Sequence, residues 1–178
     1  MRKRLCVLLL AALSAMACGV TSTGVQDGGP PPVISPKAAV ATVYLLRDGK
    51  LEPSSVAVAS HSMDNVMAAL FEAGARSTSG LTTELTGLTW QTSQLTRFGT
   101  VRNDPDNADG FRLSLFVAGG RPITKKALAQ MTCTAMRQRQ DIWAVTITRT
   151  DATGPMSYGE HTCREFWHLA APGRQLPR

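Results

Sequence analysis

Apolar and β-branched residues run almost unbroken from Ala39 to Leu46 and stop at Arg47-Asp48-Gly49-Lys50. That is the pattern of a buried strand ended by a turn. A shorter apolar stretch, Val56 to Ala59, reads as a short paired strand. The spacing then becomes helical: Met63, Val66, Met67 and Leu70 share one face behind Ser62, a good N-cap, and predict a helix to Ala73 with Gly74 at its end. Three more apolar-patterned stretches follow, at Leu88 to Thr92, Arg97 to Arg102 and Phe111 to Val117. The last two flank Asn103-Asp104-Pro105-Asp106-Asn107-Ala108-Asp109-Gly110 and read as a hairpin carrying an acidic loop. A second helix is expected from the cap Thr124 to Met136, burying Leu128, Met131 and Ala135, with a final strand at Ile142 to Thr148. At about 100° per residue, Cys133 points away from that buried stripe. The order β-α-β-β-β-α-β predicts a single α+β domain, with two helices packed on one face of an antiparallel or mixed β-sheet.

The residues before Ala39 carry a different message. Arg2, Lys3 and Arg4 precede the apolar run Leu5 to Leu13 and the small residues Ser14, Ala15 and Ala17, which is the three-part pattern of a secretory signal peptide. The run falls well short of the roughly 20 residues needed to span a bilayer. It ends Leu13-Ser14-Ala15-Met16-Ala17-Cys18 and resembles a lipobox, with Ala15 where Leu is usual. The resemblance implies a diacylglyceryl group on the Cys18 thiol, cleavage before Cys18, and residues 1–17 as signal peptide. Two or three acyl chains anchor stably. Residues 18–38, rich in Gly, Pro, Ser and Thr, lack the apolar content to build a core and read as a tether. The expected location is the extracytoplasmic face of the plasma membrane, held there through lipid on Cys18.

Removing the signal changes the charge and the cysteine count. The net charge of +6 includes the three signal cations, so the remainder carries +3, scattered along the chain, and argues against nucleic acid as a partner. Its length suits one domain. With Cys6 in the signal and Cys18 lipidated, Cys133 and Cys163 remain, and an oxidising compartment makes them a disulfide pair. Closing a loop of about 30 residues contributes roughly 3 to 4 kcal/mol. Such a bridge would strap the C-terminal segment across the outer side of the second helix. The rival readings are two free thiols, or a metal site with His161, against which stands the lack of a close Cys-x-x-Cys pair.

Candidate chemistry is sparse. There is no Gly-x-Ser-x-Gly elbow, no P-loop and no Gly-rich dinucleotide turn, and the three histidines are His61, His161 and His168. In the acidic loop, Ala108 and Asp109 stand where an EF-hand needs a ligand and its glycine, and no Glu closes it, so a solvated turn is expected. A hydrolase using a serine, His161 and an aspartate stays open, because triads assemble in space. No catalytic residue, cofactor or metal is assigned.

Several segments together resemble the GerMN domain of spore-germination proteins and of small lipoproteins from high-GC Gram-positive bacteria. These are Thr42-Val43-Tyr44-Leu45-Leu46 running into Arg47-Asp48-Gly49-Lys50-Leu51-Glu52-Pro53, the helix Asn65-Val66-Met67-Ala68-Ala69-Leu70-Phe71, and Gly80-Leu81-Thr82-Thr83-Glu84-Leu85. Ala127-Leu128-Ala129-Gln130-Met131-Thr132-Cys133-Thr134 and His161-Thr162-Cys163 complete the likeness, while Gly74-Ala75 replaces the usual Gly-Pro. The resemblance spans residues 39–166, leaves 167–178 as a tail, and implies a fold similar to ring-building motifs. It also implies a non-enzymatic interaction or scaffolding module with an envelope protein partner. Two other classes compete: a lipoprotein that binds a small molecule or lipid, and an envelope hydrolase. Burial of Trp90, Trp143 and Trp167 favours the interaction module, whereas two of them lining a groove favours the others.

Overall fold

Asp48 (φ 51°) and Gly49 (φ 75°) both take left-handed backbone, and between the paired residues Arg47 and Lys50 they make the two-residue turn that matches strand twist. They join β1 (Ala39–Arg47) to β2 (Lys50–Val58), an antiparallel two-stranded sheet. The computed structural model describes residues 39–76, 80–97 and 110–177. Helix α1 (Met63–Ala75) follows, with the Ser62 hydroxyl accepting from the Asn65 amide. Then come β3 (Thr89–Arg97), β4 (Phe111–Ala118), α2 (Lys125–Gln138), β5 (Ile142–Asp151), β6 (Gly154–His161) and a 3-10 helix (Cys163–Leu169). The second sheet has the order β3-β4-β5-β6 and is mixed, because α2 carries the chain from β4 back to a parallel β5.

The α+β class and the element order agree with the sequence pattern; the strand content is divided between the two sheets. Details differ for physical reasons. The first of the two stretches expected before β4 continues to Arg97 as its partner, Thr89–Arg97, while the stretch expected at Arg97 to Arg102 lies from residue 98 on, with the acidic loop up to Asp109, outside the described residues. Helix α1 runs past Gly74 to Ala75, with the Arg76 amide still donating to the Glu72 carbonyl, and since a Cβ at position 74 would lie 2.5 Å from the Thr83 side chain, glycine here serves close packing. The strand expected at Val56 to Ala59 extends over the whole of β2, and β6 had no apolar alternation to announce it.

Helix α2 is buried from Ala127 through Met136, all round, and not along one stripe. It contacts β1, α1, β5 and the 3-10 helix, so every side meets protein. Its polar residues explain how a helix of this composition survives there. The Tyr44 amide donates to Thr134 Oγ1 (2.9 Å), the Tyr44 carbonyl accepts from Gln130 Nε2 (3.1 Å), and the Thr42 carbonyl accepts from Gln138 Nε2 (2.9 Å). Gln130, Thr134 and Gln138 recur every four residues, one helical turn apart, and stand in for a neighbouring strand along the open edge of β1. Leu46 completes that edge by exchanging backbone bonds with Thr82 at 2.9 and 2.7 Å. Since Tyr44 and Leu46 point these groups away from β2, their cross-strand partners Pro53 and Leu51 face the outer edge of β2. Proline therefore breaks no ladder bond, and Leu51 is free to bridge Ala170.

Leu113, Leu115 and Val117 of β4 and Val145 and Ile147 of β5 form the inner face of the larger sheet, packed with Val66, Met67 and Leu70 of α1. Arg149, 5 % exposed, is the charged residue admitted to this interior. Its guanidinium donates to the Arg121 carbonyl and to Asp151 Oδ2, and stacks 6.0 Å from the Tyr158 ring centre.

Candidate functional site

Three residues per turn eclipse positions i and i+3 in a 3-10 helix. In Cys163–Leu169 this sorts the side chains into stripes. Cys163 and Phe166 are buried and Leu169 packs partly against the core, while Arg164 and Trp167 share the next stripe and face outward. Glu165 clamps the start of the helix, Oε1 accepting from the Thr162 amide at 2.8 Å while Oε2 lies 3.0 Å from His161 Nδ1. Cys163 is bonded to Cys133 across 4.8 Å between Cα atoms, and its amide donates to Met136 Sδ (3.1 Å). The disulfide straps the C-terminal segment onto α2, as expected. Cys133 itself is fully buried because that segment covers it.

The outward stripe opens on a hollow of about 620 Å³ lined by Arg164, Trp167, Ala170, Arg174, Leu176 and neighbours. A second hollow, formed by Met136, Ile142, Trp143, Thr162 and Arg164, adjoins it through Arg164. A third, with Met136, Arg137, Gln140 and Pro177, shares residues with both. The chain beyond Phe166 thus forms one wall of the largest of three adjoining hollows, and Arg164, Arg174 and Arg137 are among the residues that line them. The tryptophans divide: Trp90 packs 6.1 Å from the Phe71 ring, Trp143 is half-buried over Gly110, and Trp167 is 73 % exposed. Trp143 and Trp167 each line one of the two hollows that meet at Arg164.

The histidines are spread out. His61 is exposed, and His168 meets Trp167 edge-on at 6.4 Å between ring centres. His161 has Glu165 on one ring nitrogen and the Tyr158 carbonyl 2.9 Å from the other, which leaves neither for a serine hydroxyl. Among the described residues no three of His, Cys, Asp and Glu gather as a metal site, and no helix is long and apolar enough to cross a membrane. Cys18 lies outside the described residues. Sequence periodicity missed the groove, although Cys163, Phe166 and Leu169 at intervals of three were its signal.

Several acids are held below the ordinary carboxylate range. For Asp141 the cause is the Arg139 guanidinium; for Asp151 it is chiefly the Thr153 hydroxyl and amide, then Arg149. For Glu165 burial opposes ionisation, and the bonds from His161 and Thr162 outweigh it. Burial raises the Tyr44 phenol, opposed by Arg137. A depressed acid contributes stability that is present above its unfolded pKa and lost as pH falls through its folded one; a raised phenol contributes stability that is lost as pH rises. Melting temperature is therefore expected to be flat near neutrality, to fall in acid from the ordinary carboxylate range downward, and to fall again in strong alkali. Thermal melts across pH check this, and Glu165→Gln should remove part of the acid limb; an unaltered acid limb in that variant would contradict the assignment.

No family model matches the chain, and no curated protein and no solved structure is significantly similar to it.

Proposed function

We propose that this chain is a GerMN-like lipoprotein, anchored by lipid on Cys18 to the extracytoplasmic face of the plasma membrane, and that it acts as a non-enzymatic module docking an envelope protein. The anchor rests on the signal pattern and lipobox of residues 2–18. Trp143 and Trp167 line adjoining hollows, which counts for a lipid- or ligand-binding surface beside the docking role; one structural contrast supports the docking role itself. The small sheet has its edges occupied, by Gln130, Thr134, Gln138 and Thr82 on β1 and by Ala170 and the proline on β2. The larger sheet ends in β3 and β6, both mostly exposed and carrying the apolar side chains Leu95 (37 % exposed) and Met156 (49 %). Among the described residues, Asp64 covers β3 at Ser93, from whose amide and hydroxyl it accepts at 2.9 and 2.8 Å. An open edge is where a partner strand adds, backbone bonds supplying affinity and alternate side chains specificity.

Photo-cross-linking in living cells, with the reactive residue at 95 or 156 and a control at the exposed Arg76, tests this. A discrete adduct with one envelope protein from an edge position, and none from position 76, is the expected result. Adducts that do not depend on position, or none at all, would remove the edge-docking reading. The mass of the membrane-extracted protein should begin at a lipidated Cys18, and a free secreted product would remove the anchor.

A further inference from the structure

We propose that the groove around Trp167 is a peripheral docking surface for an anionic lipid bilayer. Trp167 is the most exposed of the large apolar side chains among the described residues, at 73 %. It is held there by construction: Cys163 is tied by the disulfide and Phe166 is buried one turn of the period-three stripe away. An indole with an apolar body and one N–H donor suits the boundary between headgroups and acyl chains. Its surroundings are cationic. Arg164 shares its stripe, Arg174 and Arg137 line the same run of hollows, and Lys50 Nζ donates to the His168 carbonyl (2.9 Å). Neither Arg164 nor Arg137 forms an ion pair among the described residues. Glu165 is engaged with Thr162 and His161, while Glu52 pairs with Arg174 at 3.4 Å and offsets that cation, so among the described residues the unpaired positive charge here is that of Arg164 and Arg137.

The kind of partner follows from shape and charge. A small-molecule site buries most of its ligand between walls. An indole standing almost free in water is instead covered by a medium that yields to it. Arginines beside such an indole complement anionic headgroups, each cation near the surface strengthening binding about fivefold. The inference rests on the anchored reading in one respect, that lipid on Cys18 keeps the bilayer at high effective concentration, so a contact that is weak in solution is populated on the cell. No residue of β3 or β6 lines these hollows.

The test uses the chain from residue 18 onward, made without lipid as Cys18→Ser, with phosphatidylcholine vesicles and with vesicles that also contain phosphatidylglycerol. Co-sedimentation and a blue shift of tryptophan emission are expected with the anionic vesicles only, weakening with salt. Partitioning should fall about tenfold in Trp167→Ala and about fivefold in Arg164→Gln, with circular dichroism and melting temperature unchanged. Equal binding to neutral vesicles, no binding to anionic ones, or full retention of binding in Trp167→Ala overturns the proposal. So does retention on poly-glutamate without vesicle binding, which would make the groove a site for acidic proteins. The mass of the native chain is read separately, so a lipidated Cys18 with no vesicle binding by the Cys18→Ser form removes the docking surface and leaves the anchor standing.

Discussion

Gln130→Leu is expected to destabilise the domain by about 3 kcal/mol, lowering its melting temperature by roughly 10 °C. The side chain is fully buried and joins three elements at once. Its Oε1 accepts from the Glu84 amide (2.9 Å) and the Thr83 hydroxyl (3.3 Å), while Nε2 donates to the Tyr44 carbonyl (3.1 Å). Leucine has similar volume and returns apolar contact, yet it strands the buried Tyr44 carbonyl away from water, costing about 1 to 3 kcal/mol, and also removes the part-buried bonds to the Glu84 amide and the Thr83 hydroxyl. Gln138→Ala provides the comparison: it removes one bond to the Thr42 carbonyl from a half-buried position that water can reach, and should cost under about 1 kcal/mol. Urea melts of the two variants measure the difference. Equal, small effects would mean that α2 does not serve as a surrogate strand for β1.

Removing the Cys133–Cys163 bridge is expected to be of similar size. The cysteines are 30 residues apart, and the loop-closure relation assigns such a crosslink about 3 to 4 kcal/mol. The Cys133→Ala/Cys163→Ala double variant should show this as a lower denaturant midpoint. Both cysteines are fully buried, so reductant and a thiol-alkylating reagent should leave the native protein unlabelled and label it only when denaturant opens the fold. Rapid double labelling of the native protein would show that the C-terminal strap is not seated on α2. The same double variant links stability to the groove, because Cys163 positions the stripe that carries Arg164 and Trp167.

The legible parts of the fold depend on neighbours in the chain. Asp48-Gly49 announces its turn through the left-handed backbone those residues accept. Ser62 and Thr124 announce both helix starts, and each hydroxyl accepts from the amide three residues on. β6 was hidden because Gly154-Pro155-Met156-Ser157-Tyr158-Gly159 has no apolar alternation, as suits an exposed edge strand with a bulge. The groove was hidden because a seven-residue 3-10 helix is too short for its period to stand out, and because its walls come from distant parts of the chain.

The sequence by itself determined the α+β class, the order of elements as far as β5, and the caps and turns, and from the cysteine count and an expected oxidising compartment it favoured the bridge between Cys133 and Cys163. Each of these follows from a residue's own backbone preference, from short-range spacing, or from counting. Only the tertiary structure decided that α2 is buried on every side, that Gln130, Thr134 and Gln138 close the edge of β1, and that Trp167 stands exposed among arginines. The reason is physical: a polar residue in a helix looks the same in sequence whether it faces water or a strand's unpaired carbonyl, and only the assembled chain says which partner is there.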